Sequence, residues 1–458
     1  MKAKITAKLD PEFLPLSVVC REMDAQTKDN GQDIIIAVER NDGYTYTKKI
    51  RIFKEGTGHD EENARYVERI VKTILWVAGG YKIYIAGSET IANKIKEAYS
   101  HTGARKFDVG MMEKVYENPV EVVSCSLADA PKDKSSAKPV GRHLDGCRIG
   151  FDAGGSDRKV SAVIDGESVY SEEVVWFPKI NSDPDYHYQG ILDAMKTAAS
   201  HLPRVDAIGI SSAGIYVDNR IMSASLFMKV SPEEFKAKVK NMYLDVCKEI
   251  GADIPVEVAN DGDVTALAGA MNLGDNAVLG IAMGTSEAGG YVDPQGNITG
   301  WLNELAFAPV DYNKDAMVDE WSGDYGCGVK YFSQDAVIKL APRAGIELDE
   351  NLSPAEKLKV VQGLMEKDDQ RAIDIYDTMG VYFGYAIAYY ALFYDIKHVL
   401  IMGRVTSGKG GTIILDRANE VLKAEFPELS EKIELHIPDE KSRRVGQSVA
   451  AASLPEIK

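Results

Sequence analysis

The chain has 458 residues, of which 45% are hydrophobic and 27% are charged, and its formal net charge at pH 7 is −17. At about 100–200 residues per domain, this length predicts roughly two to four domains of an ordinary soluble protein. The negative charge, together with the lack of a long Lys/Arg block, argues against binding to nucleic acid or to an anionic membrane.

The five cysteines are scattered and odd in number, which favours reduced thiols in a reducing compartment. Charged residues interrupt residues 1–30, so this segment has no apolar core of signal-peptide length. We therefore expect a cytoplasmic protein. The uncharged run 379–394 is shorter than the ~20 residues that cross a bilayer, and we interpret it as a buried helix of a protein without a membrane partner.

The first third of the chain has the pattern of an α/β domain. Two β-rich runs, 33–38 and 44–53, flank Asn-Asp-Gly at 41–43, which is a hairpin signal. An apolar stripe at helical spacing follows between residues 64 and 78, and a further strand is predicted at 82–86. These elements predict a strand, hairpin, helix and strand in that order, which is not the pattern of a winged helix-turn-helix.

A domain boundary is predicted where the sequence loses its apolar residues and gathers Pro, Ser and Lys. We place an N-terminal α/β domain at 1–127, a linker at 128–145, and two further regions at 146–255 and 256–458. The order of strands and helix after the linker resembles that before it, so residues 1–127 are either a degenerate copy of the following half or an unrelated domain. The apolar stripe of its helix could dock on its own chain or on a second copy in a homodimer.

The end of the strand at 148–151 has the composition of a phosphate-binding turn. It leads into Asp152-Ala153-Gly154-Gly155-Ser156. Paired glycines allow a tight turn whose amides point outward, and such a nest of N–H groups binds phosphate oxygens. Asp152 could hold a hydrated cation against those phosphates. A plain hairpin turn is the alternative, and this motif alone does not decide between them.

Three later strands also end in polar or Gly-rich turns. The turns are Asn260-Asp261-Gly262-Asp263 after 256–259, Gly284-Thr285-Ser286 after 278–283, and Gly403-Arg404 after 398–402. Helix capping competes with catalysis as the explanation of the first turn, because Asn and Asp are common caps. The second repeats the phosphate-turn pattern, and the third would let a backbone approach a flat ligand such as a nucleoside.

In this order the four motifs resemble those of the ROK family (repressors, open reading frames and sugar kinases) of the actin-like ATPase and sugar-kinase superfamily. The resemblance extends from Arg148 to the C terminus. It implies an α/β, two-lobed actin-like (ribonuclease H-like) fold with lobes at 146–255 and 256–458, to which the N-terminal α/β domain is added. The implied activity is ATP- and Mg²⁺-dependent phosphorylation of a hydroxyl on a sugar or sugar-like alcohol.

The resemblance also implies the roles of individual residues. Asp261 would be the general base, and Asp152 would hold Mg²⁺ through water. The implied phosphate-binding residues are Gly154, Gly155, Ser156, Gly284 and Thr285. Gly403 would lie against the adenosine, and the implied substrate-binding residues are Asn260, Glu304 and Ser212.

The acceptor side departs from the family pattern. The family has a Gly-Glu-x-Gly-His motif whose Glu and His contact the sugar, and here the stretch ends in Glu304-Leu305-Ala306-Phe307, with Phe in place of His. The family's cysteine-rich zinc run is reduced to Cys327, and its next sugar-binding Glu aligns with Val329. We therefore expect no structural zinc, which needs four N/S ligands, and an acceptor other than glucose.

Two other functions remain open. One is a catalytically idle sugar or nucleotide sensor, which would not need the base Asp261. The other is an ATPase that needs no acceptor and acts on a protein partner.

Overall fold

The computed structural model describes residues 3–135, 140–438 and 440–457. Residues 136–139 of the predicted linker lie outside this described part. The chain forms two compact units. We call residues 1–136, 281–289 and 301–437 the large unit, and residues 137–280, 290–300 and 438–458 the small unit.

The first part of the large unit is built around a mixed four-stranded sheet. Its elements are α1 (Leu16–Thr27), β1 (Gly31–Glu39), β2 (Thr45–Phe53), α2 (Asp60–Val77), β3 (Lys82–Ala86), α3 (Glu89–Ala98), α4 (Lys106–Tyr116) and β4 (Glu121–Cys125). The strand order is β2-β1-β3-β4. β1 is antiparallel to β2 and to β3, whereas β3 and β4 are parallel. The predicted hairpin at 41–43 and the strand at 82–86 are confirmed.

The small unit contains a five-stranded sheet. Its elements up to residue 273 are β5 (Cys147–Ala153), β6 (Asp157–Ile164), β7 (Glu167–Val175), α5 (Pro184–Ser200), β8 (Ala207–Ser212), β9 (Ile215–Val217), β10 (Arg220–Ser223), α6 (Pro232–Glu234), α7 (Met242–Ile250), β11 (Val256–Asn260) and α8 (Asp261–Leu273). The sheet order is β11-β8-β5-β6-β7. β5, β8 and β11 run parallel, so their carboxyl ends, with Asp152 and Asn260, lie at one edge.

The two sheets differ in the direction of one pairing. In the N-terminal sheet the strand after the helix, β3, is antiparallel to β1. In the small unit the strand after the helix, β8, is parallel to β5. The similarity in element order before and after the linker therefore does not extend to strand direction.

The remaining elements follow in chain order. They are β12 (Val278–Met283), β13 (Glu287–Val292), α9 (Gln334–Leu340), α10 (Pro354–Glu366), α11 (Gln370–Tyr390), β14 (His398–Met402), α12 (Lys409–Glu425), α13 (Pro427–Ser430), β15 (Glu434–His436) and α14 (Glu440–Ala452). The four strands form a sheet in the order β13-β12-β14-β15.

The uncharged run 379–394, which we predicted to be a buried helix, is a buried helix only as far as Tyr390, where α11 ends; α11 is buried continuously from Thr378 to Tyr390, and residues 391–394 form a turn in which Leu392 is exposed. α11 packs closely on α12 at two glycines one turn apart. A β-carbon at Gly380 would lie 2.6 Å from the β-carbon of Arg417, and one at Gly384 would lie 2.6 Å from that of Val421. Among the described residues, no helix combines the length and the apolar character that crossing a bilayer requires.

Candidate functional site

The predicted Gly-Gly turn joins two antiparallel strands of the small unit, β5 and β6. Trp176 makes two hydrogen bonds to this turn. Its indole N–H donates to the carbonyl oxygen of Gly154 at 2.8 Å, and its backbone N–H donates to the carbonyl oxygen of Ser156 at 3.1 Å. Ser156 is exposed, and its hydroxyl donates to Asp157 at 3.1 Å. The turn thus leaves Gly155 and Ser156 at the surface, as a phosphate-binding turn requires.

Asp152 is a buried carboxylate beside this turn, only 5% exposed. Ser211 donates a hydrogen bond of 2.7 Å to its Oδ1, and the ammonium of Lys159 lies 3.9 Å from its Oδ2. Burial raises the pKa of Asp152 to about 6, and the charge of Asp261 adds to this effect. Asp152 is therefore ionised at neutral pH but incompletely neutralised, which suits a ligand of a hard divalent cation.

Asp261 begins α8, directly after the cap Asn260. Burial raises its pKa, and this outweighs the opposing effects of the backbone N–H groups of Gly262 and Asp261 and of the cation Lys179. Part of the residue nevertheless remains accessible to solvent. A carboxylate with a raised pKa and an open face can act as a general base.

Asn260 is the N-cap of α8, as the competing explanation predicted. Its Oδ1 accepts a hydrogen bond of 2.7 Å from the N–H of Gly262, and its Nδ2 donates one of 2.7 Å to the carbonyl oxygen of Gly214. Ser212 is fully buried, and its hydroxyl lies 2.8 Å from that of Tyr243. Both side chains already have protein partners, so the substrate contacts of Asn260 and Ser212 stay predictions.

Lys179 is a residue of the small unit that sequence reasoning missed. A β-carbon at Gly155 would lie 2.8 Å from its Nζ, so the ammonium stands beside the Gly-Gly turn. The side chain belongs to an exposed residue, and its charge reaches Asp261. Nothing in the sequence distinguishes Lys179 from any other surface lysine, because it comes 24 residues after the turn that it approaches.

The large unit contains the other two Gly-rich turns. Gly284 and Thr285 connect β12 to β13, and Arg404 donates a hydrogen bond of 3.0 Å to the Thr285 hydroxyl. Gly403 adopts φ +100°, and a β-carbon there would overlap the carbonyl oxygen of Met283. Only glycine fits this position, where the end of β14 meets the end of β12. The structure thus brings Gly284, Thr285 and Gly403 together within this unit.

Residues of the N-terminal part cover the stretch that resembles the family's sugar motif. The N–H of Glu304 donates a hydrogen bond of 2.9 Å to the carbonyl oxygen of Trp76 in α2. Phe307, which stands where the family has His, packs on Trp76 with ring centroids 4.4 Å apart and on Phe107 at 5.4 Å. The aromatic side chain therefore holds α2 in place, a role that an imidazole ligand could not fill in the same way.

The stretch that resembles the zinc run is held by charges. Asp324 contacts three cations of the N-terminal part: Arg69 at 2.9 Å, Lys72 at 2.9 Å and Arg105 at 2.6 Å. Cys327 is buried, and burial raises its pKa to about 12, so it is a neutral thiol. An ion cluster thus joins this loop to α2 and to Arg105, the residue directly before α4.

Glu287 lies in the second Gly-rich turn region and was not singled out from the sequence. It is 3% exposed, and its Oε1 lies 3.4 Å from the hydroxyl of Tyr390. Burial raises its pKa to about 8, and the charge of Glu304 adds to this effect. Glu287 is therefore a neutral carboxylic acid at pH 7.

Comparison with known proteins identifies the fold. No family model matches the sequence, and no curated protein matches it. Among solved structures, the ROK hexokinase from Thermus thermophilus superimposes with a TM-score of 0.51 at 17% identity, covering 67% of this chain and 97% of that one.

Two further solved structures have TM-scores below 0.5. A ROK family transcriptional regulator, a homolog of the E. coli MLC protein, has a TM-score of 0.49 at 18% identity and covers 68% of this chain and 79% of its own. A ROK glucokinase from Streptomyces griseus, in complex with glucose and AMPPNP, has a TM-score of 0.45 at 20% identity and covers 67% and 99%.

At these identities the likeness concerns the fold. The match to the T. thermophilus structure leaves about a third of this chain uncovered, as expected if an extra domain is added to a chain of that fold. The predicted fold class is therefore confirmed: the chain has the two-lobed α/β fold of the ROK sugar kinases, with additional residues outside it.

Proposed function

We propose that the protein is an ATP- and Mg²⁺-dependent kinase that phosphorylates a hydroxyl of a sugar or sugar-like alcohol. The observation that carries the proposal is the pair of carboxylates Asp152 and Asp261. Both have a raised pKa, and the charge of Asp261 contributes to the raised pKa of Asp152, which lies two residues before the exposed Gly-Gly turn. Two carboxylates with raised pKa values at the carboxyl ends of parallel strands of one sheet are candidates for a functional site.

In this proposal Asp261 accepts the proton of the acceptor hydroxyl. Its position as the first residue of α8 fixes the carboxylate, since Asn260 caps the helix and holds the chain at the end of β11. Burial raises its pKa towards neutrality, which makes it a stronger base. The proton of the hydroxyl would pass to a carboxylate oxygen as the hydroxyl oxygen attacks the phosphoryl group.

Asp152 is the proposed Mg²⁺ residue, acting through water. When bound, Mg²⁺ would neutralise charge on the transferring phosphoryl group. The residues fit such an ion, because Asp152 offers a carboxylate of which Ser211 occupies one oxygen, while Lys159 stands 3.9 Å from the other. Gln447 supports this arrangement, with its amide nitrogen 3.4 Å from Asp152 Oδ1 and 3.5 Å from the carbonyl oxygen of Asp261.

The proposed nucleotide-binding residues are Gly154, Gly155, Ser156, Gly284, Thr285 and Gly403. The Gly-Gly and Gly-Thr turns would offer backbone amides to phosphate oxygens. Lys179, beside the first turn, and Arg404, bonded to Thr285, are two cations that would add to this attraction. Phosphoryl transfer depends mainly on such positioning and charge neutralisation.

The acceptor is proposed to differ from the hexoses of the solved relatives. Glu304 keeps its place in the sugar motif, but Phe307 packs against Trp76 and Phe107. Buried Val329 offers no hydrogen bond where the family has a glutamate. A site that lacks these two partners would not discriminate hexose hydroxyls in the way the family does.

A sensor that binds a nucleotide or sugar without turnover is the second candidate. The same replacement of His by Phe307 favours it, because the sugar motif is then held by packing. The presence of Asp261 with a raised pKa favours the kinase, since a sensor needs no base.

The test is an ADP-release assay of the full-length protein with ATP and Mg²⁺ over a panel of hexoses, amino sugars, pentoses and polyols. Wild type is compared with Asp261→Asn and with Asp245→Asn, a control in which an exposed aspartate paired with Lys248 is changed. We expect acceptor-dependent ADP release in wild type and in the control. In Asp261→Asn it should fall by about 10²–10⁴-fold, the usual contribution of a general base.

ADP release at background for every acceptor, with a melting temperature still raised by ATP or by a sugar, would overturn the kinase in favour of the sensor. ADP release that no acceptor changes would instead support an ATPase.

A further inference from the structure

Three potential metal ligands stand together at the edge of the sheet in the large unit. His398 begins β14, and Glu434 and His436 lie two residues apart in β15. The two strands are parallel, with His398 paired to Glu434 and Leu400 paired to His436. Side chains alternate between the faces of a sheet, so these three project from the same face.

Their ligand atoms form a compact triangle. The Nδ1 of His398 lies 3.0 Å from the Nε2 of His436, and the Oε2 of Glu434 lies 3.9 Å from the first and 3.8 Å from the second. A point about 2.1 Å from all three atoms exists at the centre of this triangle, which is the length of zinc bonds to His nitrogen and carboxylate oxygen.

We propose that His398, Glu434 and His436 bind Zn²⁺ or a similar divalent transition metal. Two imidazoles with one carboxylate form a ligand set that suits zinc, whereas Mg²⁺ prefers oxygen ligands and waters. The metal would replace the hydrogen bond between the two imidazoles with two coordinate bonds. Three protein ligands leave a fourth position for water.

The burial of the three residues provides both a fixed geometry and an access route. The side chain of His398 is 7% exposed, that of His436 is 26% exposed and that of Glu434 is 68% exposed. The buried imidazole is held by the sheet, while the exposed carboxylate lies on the solvent side, from which an ion can enter. A metal site needs both features.

The site is distant in sequence from the stretch around Cys327, which corresponds to the family's cysteine-rich zinc run. That stretch retains only one cysteine, which led us to expect no structural zinc there. The site also does not rest on the proposed kinase activity. β15 has three residues and lies at the edge of its sheet, next to β14. A metal between His398 and β15 would tie this short strand to the beginning of β14, whose other end leads to Gly403. We therefore assign it a stabilising role.

The experiment uses tag-free full-length protein stripped of metal and titrated with Zn²⁺ by calorimetry and with Co²⁺ by visible absorption. Wild type is compared with Glu434→Gln and His436→Ala. The control is His101→Ala, since His101 and Glu113 form a pair 3.0 Å apart that has no third metal ligand among the residues described. We expect one equivalent of metal to bind wild type and the control, Co²⁺ absorption bands that saturate at one equivalent, and affinity at least about tenfold lower in both site variants.

Equal zinc affinity in wild type, Glu434→Gln and His436→Ala would overturn the proposal, as would absence of saturable binding to wild type. In either case the two imidazoles would share only their hydrogen bond. Because the Glu434 side chain is mostly exposed, Glu434→Gln should fold normally and remain a valid test if His436→Ala does not.

Discussion

Asp152 in the small unit and Asp324 in the large unit are both buried carboxylates, but their surroundings are opposite. Asp324 has three cations within 2.9 Å, all of them from the N-terminal part of the chain. Asp152 has a serine hydroxyl at 2.7 Å and a single ammonium at 3.9 Å.

The pKa values of these two carboxylates are shifted in opposite directions, as their surroundings predict. Burial alone would raise the pKa of Asp324, but Arg69, Lys72 and Arg105 outweigh it and hold this pKa well below its usual range. At Asp152 burial dominates and raises the pKa to about 6. A charge neutralised in this way holds a structure together, whereas one left under-neutralised costs stability and is available for a ligand.

The largest effect is expected for Asp324→Asn. Removing one partner of a buried ion cluster leaves uncompensated charges, and the usual cost is about 3–5 kcal/mol. We expect a clear fall in the melting temperature of the full-length protein, together with increased protease sensitivity of the N-terminal part. The measurement is thermal unfolding followed by circular dichroism.

Asp245→Asn is the matched control, because it removes a carboxylate from a largely exposed pair with Lys248, which should be worth at most about 1 kcal/mol. If Asp324→Asn unfolds at the same temperature as this control, the ion cluster does not hold α2 to the loop.

Glu287 shows that cation contact, not location, decides the behaviour of a buried carboxyl. It lies in the large unit, as Asp324 does, yet burial raises its pKa from 4.5 to about 8. The folded protein therefore keeps a proton that the unfolded chain loses above pH 4.5, so stability falls as pH rises from about 4.5 to 8.

We expect Glu287→Gln to remove this fall and to stabilise the protein by up to about 3.5 kcal/mol at pH 7. Melting temperatures of wild type and variant, measured from pH 5 to 9, should diverge steadily up to pH 8 and run parallel above it. Parallel curves throughout the range would show that Glu287 titrates normally.

Much of the fold was predictable because it rests on local patterns. The hairpin at 41–43, the strand at 82–86 and the turn at Gly154-Gly155 follow from turn residues and from apolar periodicity, which act over a few residues. The helix start at Asp261 was likewise visible as Asn and Asp after a strand. The order of the four turns then led to the predicted fold class, which the comparison with solved structures confirms.

Contacts between distant segments were not predictable. Asp324 meets Arg69 across 255 residues of sequence, and no local pattern records that pairing. Lys179 and Glu287 acquire their special surroundings only when the sheets form. The alternating Glu434-Leu435-His436, opposite a strand that begins with His398, is a signal that could have been noticed.

Asp152→Asn is expected to have the next largest effect on stability. Between pH 3.8 and about 6 the folded protein retains a proton that the unfolded chain releases, so the ionised carboxylate costs about 3 kcal/mol above pH 6. In Mg²⁺-free buffer at pH 7.5 the variant should therefore melt at a higher temperature than wild type, even though the proposed kinase activity falls.

The pH windows separate Asp152 from Glu287. The gain in Asp152→Asn should be constant above pH 6, where Asp152 is already ionised, whereas the gain in Glu287→Gln should still grow up to pH 8. A variant at Asp152 that is less stable than wild type at pH 7.5 would show that its carboxylate is neutralised in the free protein, as that of Asp324 is.

The smallest effect is expected for Lys159→Met, which tests how far Asp152 is neutralised. Lys159 lowers the pKa of Asp152 from 3.9 Å away, but its stronger contact is to Asp157 at 2.9 Å. Its removal should raise the pKa of Asp152 and cost about 0.2–1 kcal/mol, with Lys248→Met as the exposed control.

The readout is the pH midpoint at which the melting curves of Lys159→Met and of the double variant with Asp152→Asn separate. A midpoint well above 6 would mean that Lys159 alone keeps Asp152 ionised at neutral pH, and hence that the cation prepares the proposed Mg²⁺ residue as well as contacting Asp157. An unchanged midpoint would indicate that Ser211, and not Lys159, keeps Asp152 ionised, because the Ser211 hydroxyl donates to the carboxylate and also lowers its pKa.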